Sequence, residues 1–417
     1  MDDYQDWRGG YHLIKEMYDL IVVGGGMVGA ALACALADAG LNICILETRE
    51  PQRSWPKDEV DLRVSALTRA SQCMLENLRA WPRMAEMRVS PYTDMEVWDA
   101  EGSGRIHFSA SEIGESDLGH IVENRVTQLA LWEILETLPN VTLLHPAGVA
   151  ELQLDQLPGV VMHDGEQLRA KLIVAADGRD SQLREMAGIG TKGWDYNQHA
   201  IVATVKPSSH HQRMARQRFM PRGPLALLPI DDGRCSIVWS TSPQQADELM
   251  VLSDKLFCDQ LTRASEAVLG EIIDVGPRGL FPLRLGHAQS YCLPGFVLVG
   301  DAAHAMHPLA GQGVNLGFMD AMTLADVVID AYRTGRAIGS IATLRRYERA
   351  RKGPNMAMLA AMDAFKRIFS NDVMPLKLIR NLGLDVANRS GVIKHQLIRR
   401  AMGMSGELPS LARVRMH

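Results

Sequence analysis

The chain has 417 residues, 47% of them hydrophobic, and a formal net charge of −5. That supplies a large core, arranged as one intertwined two-domain unit or as two domains. No apolar run reaches the ~18 residues of a membrane span, no signal peptide stands at the start, and no nucleic-acid reader motif or aromatic–basic interleaving occurs.

Residues 1–17 are polar and aromatic and read as an N-terminal extension. Asp19 to Val23 is an apolar, β-branched strand. Gly24, Gly26 and Gly29 follow as G-x-G-x-x-G, and Ala30 to Ala39 reads as a helix of small residues. A second strand, Asn42 to Leu46, ends at Glu47. The acid lies about 20 residues past the glycines, where a carboxylate reaches a ribose 2′-hydroxyl. Tight turn, bare backbone for a pyrophosphate, close helix packing and ribose acid all occur in order. The acid disfavours a 2′-phosphate, which leaves NAD and FAD open at this motif.

Two stretches, 81–114 and 191–284, read as substrate-side insertions. The second carries period-two runs at 200–205, 225–229 and 235–239, expected as antiparallel strands. Leu225, Leu227, Leu228, Phe281 and Leu283 are expected to line an apolar cleft, while Arg218, Arg222 and Arg284 are the arginines that an acid substrate would need. Cys235 and Trp239 are expected to pack the sheet. Gly295 to Gly300 is a short buried strand with Asp301 at its carboxyl end, where open α/β sheets bind ligands. Gly311 and Gly313 then form a Gly-x-Gly turn, and a helix begins at Val314. Such a helix start offers bare N–H groups and a positive dipole end to an anion. Together the two motifs select FAD, which is long enough to touch both.

His304 and His307 lack a third ligand at metal spacing, so no metal is expected. The six cysteines form no C-x-x-C pair, and several lie in apolar segments; buried thiols in a reducing cytoplasm fit. The last 80 or so residues read as helices broken at Pro354, Pro375 and Gly383. From Lys366 onward the local charge is +7, against −12 for the remainder. This basic, partly apolar tail is expected as a helical subdomain, or as a surface for anionic lipid or partner proteins.

Five stretches carry a family resemblance: the fingerprint, 61–67, 118–124, 175–184 and 307–317. In them the chain resembles the class A flavoprotein aromatic hydroxylases, and among these the ubiquinone-biosynthesis hydroxylases. The implied fold is α/β: an FAD-binding Rossmann-like domain of the para-hydroxybenzoate hydroxylase type, an inserted antiparallel-sheet substrate domain and a C-terminal helical region. The discontinuous FAD domain would comprise 18–80, 115–190 and 285–335, with a basic helical region over 336–417. Segments 95–99 and 235–240 and the tail after Leu344 resemble the 2-polyprenylphenol hydroxylases acting at C5; 186–190 resembles the C6 enzymes equally.

The resemblance implies a cycle in which NAD(P)H, a transient donor, reduces FAD. O2 then gives a C4a-hydroperoxyflavin, which hydroxylates the ring of a polyprenylated phenol. Arg63 would approach the cofactor phosphates or ribityl chain, and Asn124 the flavin chain. Asp177 would serve the flavin or nicotinamide nucleotide, with Arg184 supporting it through a salt bridge. Asp301 would hold the ribityl chain or a phosphate, and the backbone of Val314 and Asn315 would face the flavin pyrimidine edge. His307 and Pro308 would shape the pocket at the flavin's reactive face. Hydroxylation at C6 or C1, a soluble aromatic-acid hydroxylase and a non-catalytic FAD-bearing scaffold are the alternative readings. A peripheral position at the inner membrane face, a biosynthetic protein assembly and a homo-oligomer are compatible with the chain.

Overall fold

The computed structural model describes residues 17–102, 104–305, 313–369, 391–404 and 406–413. β1 (Met17–Val23), α1 (Met27–Ala37) and β2 (Ile43–Leu46) form the opening β–α–β unit. β3 (Val64–Thr68) leads into α2 (Arg69–Asn77) and α3 (Trp81–Met87). β4 (Ser90–Tyr92), β5 (Asp94–Asp99), β6 (Arg105–Ser109), β7 (Gly119–Glu123) and α4 (Asn124–Leu135) follow. β8 (Val141–Leu144), β9 (Val149–Gln153), β10 (Gly159–Met162) and β11 (Gln167–Ala175) precede the short α5 (Gln182–Met186). Next come β12 (Thr191–Pro207), β13 (Met214–Phe219), β14 (Leu225–Pro229), β15 (Cys235–Thr241), α6 (Pro243–Met250), α7 (Asp254–Ala264) and β16 (Ile272–Ala288). β17 (Cys292–Leu293), β18 (Phe296–Leu298), β19 (His304–Ala305), α8 (Gly313–Arg333), α9 (Ile341–Phe369) and α10 (Gly391–Ala401) complete the order.

The first sheet runs β17-β18-β11-β1-β2-β8, with β10 and β9 added beside β11. β1 pairs in parallel with both β2 and β11, and β11 with β18. β2 and the carboxyl halves of β1 and β11 are continuous apolar, buried runs, because both faces are covered there. The register aligns Val23 with Leu46 and Ala175, and Ala175 with Leu298. Gly24, Glu47, Asp177 and the Gly300–Ala302 turn therefore leave the sheet at one carboxyl edge.

The second sheet runs β19-β16-β12-β15-β14-β13-β5-β6. The period-two runs at 200–205, 225–229 and 235–239 are antiparallel strands within it. Leu225 and Leu227 pack with Cys235, Trp239 and Phe257 in a core under α6 and α7. Leu228 joins a different core with Ala66, Tyr92, Ile398 and Met402. The expected cleft lining is corrected here: Leu225, Leu227, Leu228 and Leu283 are all at most 2% exposed, and only Phe281 is half-buried. The alternation of the strand puts Leu225 and Leu227 on the face toward α6 and α7, and Ala226 and Leu228 on the face toward Ala66, Tyr92 and Ile121.

A third sheet, β3-β7-β4, lies between these units. The C-terminal region is woven into the fold where it is described. Lys394 is buried against Glu112 at 2.7 Å, Ala70 donates to the Met402 carbonyl, and Ser410 bonds Asp326. Among the described residues no helix is long and apolar enough to cross a membrane.

The fingerprint turn is the tightest point of the first sheet. Gly24 has φ +105°, and a Cβ there would stand 2.3 Å from the Ala176 carbonyl oxygen. Gly24→Ala is expected to destabilise the fold by more than about 1 kcal/mol. Urea unfolding would show a lower midpoint at unchanged slope; an unchanged midpoint would contradict this packing.

Candidate active site

At the start of α1, Gly26 is the N-cap and no side chain caps the helix. A Cβ on Gly26 would meet nothing within 4 Å, whereas one on Gly29 would stand 2.0 Å from the Gly24 carbonyl oxygen. Gly29 is thus needed for packing, and Gly26 opens onto free space before uncapped N–H groups. That is a cradle for an anion. Glu47 reaches back to this loop: its Oε2 accepts the Gly25 N–H at 2.6 Å, and its Oε1 accepts from Thr48 and the Arg49 amide. Trp132 and Gln128 both donate to the Gly25 carbonyl. Glu47 therefore braces the turn as well as standing at the ribose position of the fingerprint.

The second motif packs directly on the first. Val28 of α1 lies between Gly300 and Gly317: a Cβ at Gly317 would be 2.6 Å from Val28 Cγ2, and one at Gly300 3.2 Å from Cγ1. The two glycines let the strand-end turn and α8 close onto α1. Asp301 sits in that turn, wetted through a cleft yet ringed by protein. Crowding pushes its carboxyl above the ordinary range, while His304, Arg63 and Arg179 pull it back and Asp320 adds to the rise. The solvent that enters the cleft weakens the crowding penalty.

Asn315 accepts from the Thr68 amide at 3.0 Å and from the Ser71 hydroxyl at 2.7 Å, and donates to the Ala66 carbonyl at 2.8 Å. Its side chain is consumed in fixing the start of α8 to β3 and α2, which leaves backbone as the part available to a ligand at Gly313–Asn315. Arg63 is exposed and lies close enough to Asp301 to bias its charge. Asn124, the first residue of α4, accepts from the Ser65 hydroxyl at 2.7 Å, and its amide bonds the Arg63 carbonyl. Gly311, His307 and Pro308 lie outside the described residues.

Asp177 accepts from the Ser181 hydroxyl and from the Leu183 amide, so its carboxylate supports the Ser181 N-cap and takes a second free N–H at the start of α5. The expected salt bridge from Arg184 is replaced by two carbonyl contacts, to Arg179 at 3.0 Å and Ala302 at 3.1 Å. These tie the loop after β11 to the Asp301 turn. Between the two lies a cavity of about 290 Å³, lined by Arg179, Arg184, Arg284, Thr191, Asp301 and His304 among others. Of the other two arginines weighed, Arg218 turns to Glu266 and the Ala264 carbonyl, and Arg222 to Gln245. Arg284 alone of the three reaches the cavity.

Behind Asp301 stands a buried cluster that the sequence reading missed. Asp320 of α8 is 0% exposed and bonds His304, Arg351 at 2.7 Å and Asn355 at 3.0 Å. Burial alone would raise its pKa, but His304 and Arg351 hold it down to about 2. A signal was available. Gly317, Asp320, Leu324, Val328 and Ala331 share the buried stripe of α8, and an acid on such a stripe requires partners.

The family model described as the FAD binding domain matches residues 17–361. The chain is 40% identical to the 3-demethoxyubiquinol 3-hydroxylase of Escherichia coli K12, over 94% of this chain and 100% of that protein. It is 39% identical to the ubiquinone hydroxylase UbiL of Rhodospirillum rubrum, over 95% and 93%. It is 36% identical to the human mitochondrial ubiquinone biosynthesis monooxygenase COQ6, over 92% of each. The crystal structure of p-nitrophenol 4-monooxygenase PnpA from Pseudomonas putida superimposes with a TM-score of 0.74 at 18% identity, over 93% of this chain and 98% of that one. This last likeness is one of fold.

The depressed Asp320 pKa carries a pH signature. Ionised Asp320 stabilises the folded state fully above pH ~4 and loses that contribution as pH falls toward about 2. The unfolding free energy is expected to decline across that window, and Asp320→Asn to remove this part of the decline. An identical acid limb in the variant would contradict it.

Proposed function

The chain belongs to the FAD-binding-domain family of flavin-dependent monooxygenases, and from that premise we propose that it hydroxylates the ring of a polyprenylated aromatic in ubiquinone biosynthesis. The substrate class rests on the relatives at 36–40% identity, and the cofactor site on the Val28 contact, which brings the fingerprint turn, the Asp301 turn and the start of α8 to one sheet edge. A single elongated cofactor fits that arrangement: an open anion cradle at Gly26, a carboxylate at Glu47, Asp301 at mid-length and bare backbone at Gly313–Asn315. In this reading Gly24, Gly26, Gly29 and Glu47 hold the adenosine and pyrophosphate part. Asp301 takes a hydroxyl of the connecting chain, with Arg63 and Asn124 beside it. Bound FAD supplies the two-electron and O2 chemistry; the protein positions it and offers positive helix-end potential to the pyrimidine edge. His307, Pro308 and Gly311 belong to the same reading as pocket-shaping residues. Asp177 acts through the loop it braces.

Arg179 and Arg284 in the cavity beside Asp301 suit the anionic groups of a reduced nicotinamide nucleotide, proposed as the transient donor. The ring carbon is the finer question. Segments 95–99 and 235–240 favour C5, while the name of the Escherichia coli relative makes a demethoxyubiquinol the first substrate to try. A lipid-borne substrate also agrees with contact between the basic C-terminal region and an anionic membrane face.

Asp301→Ala is expected to purify without flavin; a normal flavin stoichiometry would contradict the role given to Asp301. In cells lacking this gene, lipid extraction and mass spectrometry should show a polyprenylated ring compound short of one hydroxyl, restored by the intact gene and not by Asp301→Ala. The missing position names the carbon. An unchanged quinone profile would overturn the substrate class.

A further inference from the structure

The Asp320 carboxylate joins two sides of the molecule. Oδ2 accepts from the Gly300 amide at 3.3 Å and bonds His304 Nε2, and these two partners bracket Asp301. Oδ1 accepts from Arg351 Nε and Asn355 Nδ2 of α9, and Arg351 also donates to Asn355 at 2.8 Å. Asn355 continues to Tyr291, whose hydroxyl meets His287 at 3.1 Å. An ionised carboxylate only accepts, so Nε2 of His304 carries the proton and the imidazole has one fixed orientation. The Asn355 amide donates to both Asp320 and Tyr291, and an amide does not pass protons along such a chain. The network holds geometry rather than conducting protons. Seven residues upstream of Asp320 on the same helix, about 10 Å away, α8 begins with the backbone proposed for the flavin edge.

We propose that Asp320 and His304 are positioning residues for the cofactor: one carboxylate of α8 grips both ends of the Asp301 turn, and so fixes the distance between Asp301 and the start of α8. The idea rests on the reading of Asp301 as a cofactor contact. Arg351 and Asn355 anchor the carboxylate from behind, and Asn315 pins the front of the same helix. Two contacts of one cofactor are thereby set by one rigid helix, which is the arrangement that makes binding sensitive to small displacements.

The test is FAD titration of apoprotein by flavin fluorescence quenching, with thermal unfolding of each apoprotein and the visible spectrum of bound flavin. His304→Gln removes the grip on the turn. It is expected to raise the Kd for FAD by at least ~10-fold and to alter the flavin spectrum, with a small change in Tm. Arg351→Lys disturbs only the α9 side and is expected to lower Tm while the Kd stays within ~3-fold. Should His304→Gln give no folded apoprotein, His304→Asn, which also leaves the α9 contacts of Asp320 in place, takes its place with the same expected Kd. An unchanged Kd and spectrum in the turn-side variant, or parallel losses of Tm and FAD affinity in both variants, would reduce the cluster to a core ion pair and overturn the proposal. Failure of the wild-type protein to bind FAD would instead count against the cofactor site itself.

Discussion

The contact of Val28 with Gly300 and Gly317 is the constraint on which the rest of this molecule depends. Gly317 needs glycine because a Cβ would stand 2.6 Å from Val28 Cγ2, and Gly300 because its φ is +59° and a Cβ there would press on Val28 at 3.2 Å. The contact places a helix that begins near the end of the sheet's last strand directly against the helix of the opening β–α–β unit. Without it, the fingerprint would be an ordinary phosphate turn, and Asp301 a strand-end acid with no common ligand to share. With it, the carboxyl edge of the sheet's parallel strands brings both motifs together, as the proposed cofactor site requires. The second sheet then closes the far side, and its β16 and β19 bring Arg284 and His304 to the cavity wall.

The charged groups follow the same logic. Near this edge ionisable residues also brace the backbone. Glu47 braces the Gly25 amide, and Asp177 supports the start of α5 while shaping the cavity loop. Asp320 is the extreme case. A fully buried carboxylate is costly unless every lone pair finds a donor, and here the donors come from the turn on one side and from α9 on the other. The two oxygens divide the work: one is tied to the cofactor turn and the other to the helical region.

Much of this was legible in the residues. The glycine spacing, Glu47 and the strand before Asp301 are local signals whose period and chemistry are read directly, and the period-two runs became strands of one sheet. Two kinds of error have physical causes. Leu225, Leu227 and Leu228 look alike in sequence, but which face of a strand meets the cofactor domain depends on the register of neighbouring strands, which a single run does not encode. Arg184 was expected to seek an acid and found two carbonyls instead, because Asp177 was already taken by the α5 cap. Asp320 was passed over because its partners, His304, Arg351 and Asn355, lie on separate elements that only tertiary packing brings together.

The most direct test of the central claim is flavin content after enlarging the Val28 contact. Gly317→Val should abolish co-purifying FAD while leaving a folded protein by far-UV circular dichroism, because it pushes α8 and the Asp301 turn away from the fingerprint. A fully loaded flavoprotein from that variant would show that the two motifs do not share one cofactor.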